Sequence, residues 1–235
     1  MAEGERVNTL RRKILLSTFS LPILSVILSK KAANHKRSVR VNSSYKARSF
    51  KNFERIGVFS DNLIKNHLRI YQDSVYSLNS LIEEMSSFAK SGKFSLEYYE
   101  LKRRFSYEFN SVRLHEIYFE SVTRDGVYLK EDLRVFKKIK GDFGSFENWQ
   151  NNFADLGMVR GIGWVALCYD ELSDKLFNIW IDENLSGILT GCKILLVMDV
   201  FEHSYQIDYG TRKKDYISTF MKVIDWRIVE KRFSE

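Results

Sequence analysis

Three histidines and an aspartate carry most of the chemistry this chain can do. Asp199 and His203 stand four positions apart, directly after the apolar run at residues 194–198. That run reads as a buried strand, so a carboxylate and an imidazole just past its end can grip one small cation from one side. Closing a four- or five-coordinate site takes two or three more nitrogen or oxygen donors. The other histidines are His35, His67 and His115. His35 falls in a basic, polar stretch, whereas His67 and His115 each lie in an apolar stripe. Spacing alone also fits a core histidine hydrogen-bonded to a neighbour, and at His67 it favours that reading.

The elements that must position these groups can be read from periodicity and capping. Ser60 can cap a helix starting at Asp61, with Leu63, Ile64, His67, Ile70, Tyr71, Val75, Leu78 and Leu81-Ile82 along one face. Gly92 breaks it, and Ser95 can cap a second helix to about residue 122 carrying Leu101, Phe105, Phe109, Val112, His115 and Phe119. Two antiparallel helices with one inward histidine each could aim both imidazoles at a common point. Ser145 opens a further helix, and the glycines of Gly161-Ile162-Gly163-Trp164 suit close backbone approach beside a site. Residues 167–169 and 176–181 flank a turn and, with 194–198, make three strands; residues 216–223 and 226–233 read as closing helices. The expected fold is α+β: an N-terminal antiparallel two-helix hairpin at 51–125, then a C-terminal α/β domain at 126–235 with a three-stranded antiparallel sheet.

Asp199-Val200-Phe201-Glu202-His203-Ser204-Tyr205 resembles the Asp-x-Trp-Glu-His-x-Tyr signature of the iron/manganese superoxide dismutase family, with Phe201 where Trp is usual. His115-Glu116-Ile117-Tyr118-Phe119 resembles its second-ligand motif, and Phe143-Gly144-Ser145-Phe146-Glu147 and Gly161-Ile162-Gly163-Trp164 resemble its later segments. The likeness runs from about Phe53 to Phe233. It implies superoxide dismutation to oxygen and hydrogen peroxide at one Fe or Mn ion per chain, held by His67, His115, Asp199 and His203; such a set suits Fe or Mn more than soft Cu(I). A second register of the first helix would put Asn66 at the first ligand. The family's active-site Tyr position holds Val75, and Tyr71 stands where a second His is usual; Tyr71 and Asn184 are the expected catalytic side chains, Asn184 replacing a solvent-binding Gln. Glu202 and His203 resemble the pair that bridges two subunits, which implies a symmetric homodimer. The alternative is a non-catalytic relative that keeps the fold for structure or metal binding.

Charge and composition narrow the partners. Eleven of the 37 Lys/Arg but only two of the 30 Asp/Glu fall in residues 1–50, so the formal charge of +7 belongs to the N-terminal segment. The body is slightly acidic, which argues against a nucleic-acid partner. Residues 14–28 form an apolar stretch after Arg11-Arg12-Lys13, short for a spanning helix and closer to a signal-peptide core. The paired arginines resemble a twin-arginine export signal. Residues 1–50 are therefore expected to be a signal-like or anchor segment and a basic linker, with export to the periplasm or membrane contact through 14–28; a cytoplasmic basic extension is the alternative. Cys168 and Cys192 lie outside metal-ligand spacing and read as buried thiols, with a disulfide also open.

Overall fold

The computed structural model describes residues 45–235. The export, anchor and linker expectations for residues 1–44, the apolar stretch at 14–28 included, lie outside the described residues. After the short α1 (Lys51–Glu54) come two long helices, α2 (Asp61–Ser91) and α3 (Leu96–Glu120). Ser60 Oγ accepts from Leu63 N at 3.1 Å and so caps α2. Gly92, at φ +66°, ends it in the left-handed conformation that glycine adopts without strain. The contacts Tyr71–Glu116, Ser74–Ser111 and Phe88–Tyr98 step outward along α2 and back along α3, so the helices are antiparallel.

The C-terminal half comprises α4 (Arg134–Phe143), α5 (Phe146–Gly157), β1 (Gly163–Asp170), β2 (Lys175–Asp182) and β3 (Lys193–Asp199). A 3-10 turn (Glu202–Ser204), α6 (Gln206–Tyr209), α7 (Lys213–Lys222) and α8 (Trp226–Ser234) complete it. The sheet order is β2-β1-β3, with β1 antiparallel to both neighbours. Most of β1 and β3 is buried, because α3 and α8 pack on β3 while α5 packs on β1 and β2. One core runs from Phe53 on α1 through both long helices to Val229 on α8. The architecture is the α+β arrangement expected, a helical hairpin followed by a three-stranded antiparallel sheet.

Two boundaries differ from the sequence reading. Helix α4 was not anticipated; its apolar anchors are Val135 and Ile139, one turn apart, and Glu230 accepts from Arg134 N and Val135 N at its start. The basic linker does not reach residue 50. Phe50 is buried, Tyr45 exchanges hydrogen bonds with Asn79, and Arg48 N donates to Tyr71 Oη at 3.0 Å. Aromatic side chains spaced too irregularly to register as a periodic element hold this strap on the hairpin. Among the thiols, Cys168 is buried but Cys192 only half-buried, and both are free.

Candidate metal centre

Four elements each deliver one ligand-type side chain to the same point. On α2 the buried stripe of Leu63, Ile64, His67, Tyr71, Val75 and Leu78 follows three- and four-residue steps, which turns His67 inward. On α3 the buried set around Ser111, Val112, His115 and Phe119 does the same for His115. Asp199 ends β3 directly opposite Trp164 of β1. Its Oδ1 accepts from Phe201 N at 2.9 Å, leaving Oδ2 to face the histidines. Ser204 Oγ donates to Asp199 O and Phe201 O, fastening the single 3-10 turn that brings His203 back over the carboxylate.

The resulting geometry is tight. His67 Nε2 lies 2.9 Å from Asp199 Oδ2, His203 Nε2 3.1 Å and His115 Nε2 3.8 Å. One ligand atom from each of the four lies within 4.8 Å of all the others. His67, His115 and Asp199 are buried, and His203, 20% exposed, is the member nearest water. The register that puts Asn66 here is excluded: His67 is in the cluster and Asn66 is half-buried outside it.

The donor set fits a metal ion. His115 Nδ1 donates to the Ser111 carbonyl at 2.7 Å, which fixes the tautomer and leaves a bare lone pair on Nε2. That Nε2 is buried and has no hydrogen-bond partner among the described residues, and a buried polar atom left unpaired is costly. Burial pushes His115 down to about 3, helped by the neighbouring His67, and it lowers His67 as well. Both stay neutral, the form that ligates. Burial opposes ionisation of Asp199, but the charge of His203 and hydrogen bonds from His203 and His67 outweigh it and hold the carboxyl well below its usual range. Burial likewise works against a charged His203, yet Asp199 and Glu202 raise it. Three imidazoles and one carboxylate around a single point suit one Fe or Mn ion.

The pattern of the family described as iron/manganese superoxide dismutases, C-terminal domain, matches residues 131–232. An iron superoxide dismutase of Cupriavidus metallidurans is 34% identical over 180 residues, covering 74% of this chain and 88% of that protein. The chain belongs to the iron/manganese superoxide dismutase family. A manganese superoxide dismutase of Haloferax volcanii is 31% identical over 161 residues, 68% of this chain and 79% of its own length. An iron superoxide dismutase of Methanothermobacter marburgensis is 27% identical over 172 residues, 72% and 85% respectively. Similarity to iron and manganese members alike agrees with a donor set that discriminates little between the two ions.

The other side chains singled out in the family comparison fall at different distances from the cluster. Asn184 is buried, and its Oδ1 accepts from Trp164 Nε1 at 2.9 Å; the Trp164 ring stands edge-on to His115 at 4.9 Å. Asn184 is thus tied to the centre through Trp164. Tyr71 packs beside His115, with ring centroids 6.3 Å apart, but its hydroxyl donates to Glu116 Oε1 and accepts from Arg48 N. Burial pushes Tyr71 up to about 12. The structure thus places the Tyr71 ring beside His115, with its hydroxyl engaged by Glu116 and Arg48. Glu202 is exposed beside His203, and Phe201 stacks on the His203 ring at 5.3 Å.

Three supporting contacts were not foreseen. Ser111, one turn before His115, supplies the carbonyl that orients it. Tyr216 Oη donates to Asp199 O at 2.6 Å, and Tyr118 Oη lies 3.3 Å from Tyr216 Oη. Tyr118, three residues after His115, shares its helix face, a spacing legible in sequence. Nothing local signals that Tyr216 reaches the backbone of β3.

Proposed function

We propose that this chain is a superoxide dismutase, converting superoxide to oxygen and hydrogen peroxide at one iron or manganese ion held by His67, His115, Asp199 and His203. The observation that carries the reading is the convergence of four ligand atoms within 4.8 Å around a buried His115 Nε2 that no group among the described residues satisfies. When bound, the ion supplies the one-electron chemistry that takes an electron from one superoxide and gives it to another. The chain's own groups set the conditions. His115 is held as a neutral donor by Ser111, Asp199 is kept ionised by its histidine neighbours, and Phe201 shields one face of His203 from water. Trp164 and Asn184 form a hydrogen-bonded wall against His115, the kind of outer contact that tunes a metal site.

The test is removal and return of metal. Chelated protein should lose its acceleration of superoxide decay and regain it with Fe or Mn. A folded, metal-loaded protein that leaves superoxide decay unchanged would assign the chain to the non-catalytic relatives.

The same reading includes a symmetric dimer in which Glu202 of one subunit meets His203 of the other. The exposure of Glu202 beside His203, which retains an exposed edge, supports it. Sedimentation at micromolar concentration should give two chains per particle; a monomer would contradict it. It also includes export or membrane anchoring through residues 14–28, supported by the paired arginines and the apolar stretch. Full-length protein confined to the soluble cytoplasm in a cell fractionation would refute that part.

A further inference from the structure

The hairpin extends well past the metal centre. Helix α2 has 31 residues, about 46 Å of length, and His67 sits in its second turn. Over residues 82–107 Met85 is the one buried side chain. The side-chain hydrogen bonds of residues 82–104 stay within the hairpin: Ser91 with Phe88 O, Lys93 N with Ser91, Arg103 with Glu100 and Arg104 with Glu108. This outer half is an arm whose faces are open to its surroundings.

Its tip is neither uniformly polar nor evenly charged. Phe94 is 52% exposed, Leu96 78% and Tyr99 58%. The aromatic rings of the tip form a cluster: Phe94 lies 4.9 Å and Phe88 6.0 Å from Tyr98, and Tyr98 lies 5.5 Å from Tyr99. Five Lys/Arg and four Glu occupy residues 82–107, and no acid stands between Lys90 and Phe94 at the turn itself. Glu100 is paired with Arg103, while Lys90 and Lys93, on either side of the Gly92 turn and next to Phe94, have no carboxylate partner among the described residues. Lys102 Nζ rides over the Tyr98 ring at 5.6 Å.

Exposed aromatic and leucine side chains beside unpaired lysines match the interfacial zone of a bilayer. Apolar groups enter the acyl boundary there, aromatic rings settle at headgroup level, and ammonium groups meet lipid phosphates. No helix among the described residues is long and apolar enough to cross a membrane, so the arm would rest on the surface. We infer that the tip of the α2–α3 hairpin docks on an anionic lipid bilayer, with Phe94, Leu96 and Tyr99 inserted and Lys90 and Lys93 on the headgroup phosphates.

The test uses the full chain with vesicles of phosphatidylcholine alone or mixed with phosphatidylglycerol. Leu96→Trp serves as a local reporter in a Trp180→Phe background, since Trp149, Trp164 and Trp226 are buried and Trp180 is half-buried. Expected are binding to phosphatidylglycerol vesicles that weakens with salt, and quenching of Leu96→Trp by brominated lipid. Combining Phe94→Ser, Leu96→Ser and Tyr99→Ser, or Lys90→Gln with Lys93→Gln, should weaken binding at least about tenfold while metal content stays unchanged. Vesicle binding with Leu96→Trp unquenched would place the contact elsewhere in the chain and overturn the inference. So would equal binding to the neutral vesicles. A lipid-free particle that becomes smaller on the triple serine substitution would show that the tip meets a second copy of the chain instead of a membrane.

Discussion

The two halves of one helical hairpin obey different rules. In the inner half, α2 and α3 meet the sheet and the 3-10 turn, and Leu63, His67, Tyr71, Val112, His115 and Phe119 are buried. In the outer half the same two helices continue with almost no buried side chains and end in an aromatic tip flanked by lysines. Helical continuity supplies the span in both; what differs is whether tertiary packing decides each side chain's place. The metal-ligating groups sit where packing over-determines them, and the open surface sits where it does not.

Phe119→Ala should show the largest effect. The ring is fully buried against Phe50, Phe53, His67 and His115, at centroid distances of 5.0, 4.5, 4.9 and 5.8 Å. Its loss should cost about 3–5 kcal/mol in denaturant unfolding and loosen both helix-borne histidines. Next, Trp164→Phe removes the donor to Asn184 while keeping a ring against His115. It should lower activity or metal affinity about 10–100-fold with little change in fold content, read by turnover and metal titration.

A smaller effect is expected from acid. His115 titrates near 3 when folded against 6.5 as a free side chain, so between those values the unfolded chain holds the extra proton. Metal-free protein therefore loses stability as pH falls from 6.5 toward 3. His67 is shifted the same way. His203, raised by Asp199, acts oppositely: its contribution is present below 6.5 and lost as pH rises through its folded value. Below 6.5 the contribution of His203 is already complete and constant, so the loss on further acidification there belongs to the two lowered histidines, and His115→Gln should make the acid limb of a stability–pH series shallower. An unchanged slope would remove His115 from that role. The smallest effect belongs to the outer half, where Phe94→Ala should shift stability within about 0.5 kcal/mol. A loss comparable to that at Phe119 would erase the contrast between the halves.

Much of this is legible in the sequence, for reasons that differ by element. The hairpin was readable because its period is long and both ends carry punctuation, Ser60 and Gly92. Its ligands were readable because the histidines are few. The three strands were readable as apolar runs beside turn residues. What escaped detection depends on distant partners. The strap at Tyr45 and Phe50 has no periodicity and is fixed by Asn79 and Tyr71. Helix α4 is short and lysine-rich, and its start is held by Glu230, nearly a hundred residues away. Tyr71 was legible as an inward-facing side chain, but position along a helix says which face a side chain takes, not what its far end meets; its hydroxyl meets Arg48 and Glu116.

We propose that His67, His115, Asp199 and His203 hold one redox-active ion that dismutes superoxide. It is tested most directly by metal content and superoxide turnover, measured together on the full chain and on His115→Ala from cells supplied with iron and manganese. Close to one Fe or Mn per chain with turnover is expected in the parent protein, and loss of both in the variant at unchanged helix content. A folded parent protein without either metal, or a variant that keeps its metal and its turnover, would contradict it.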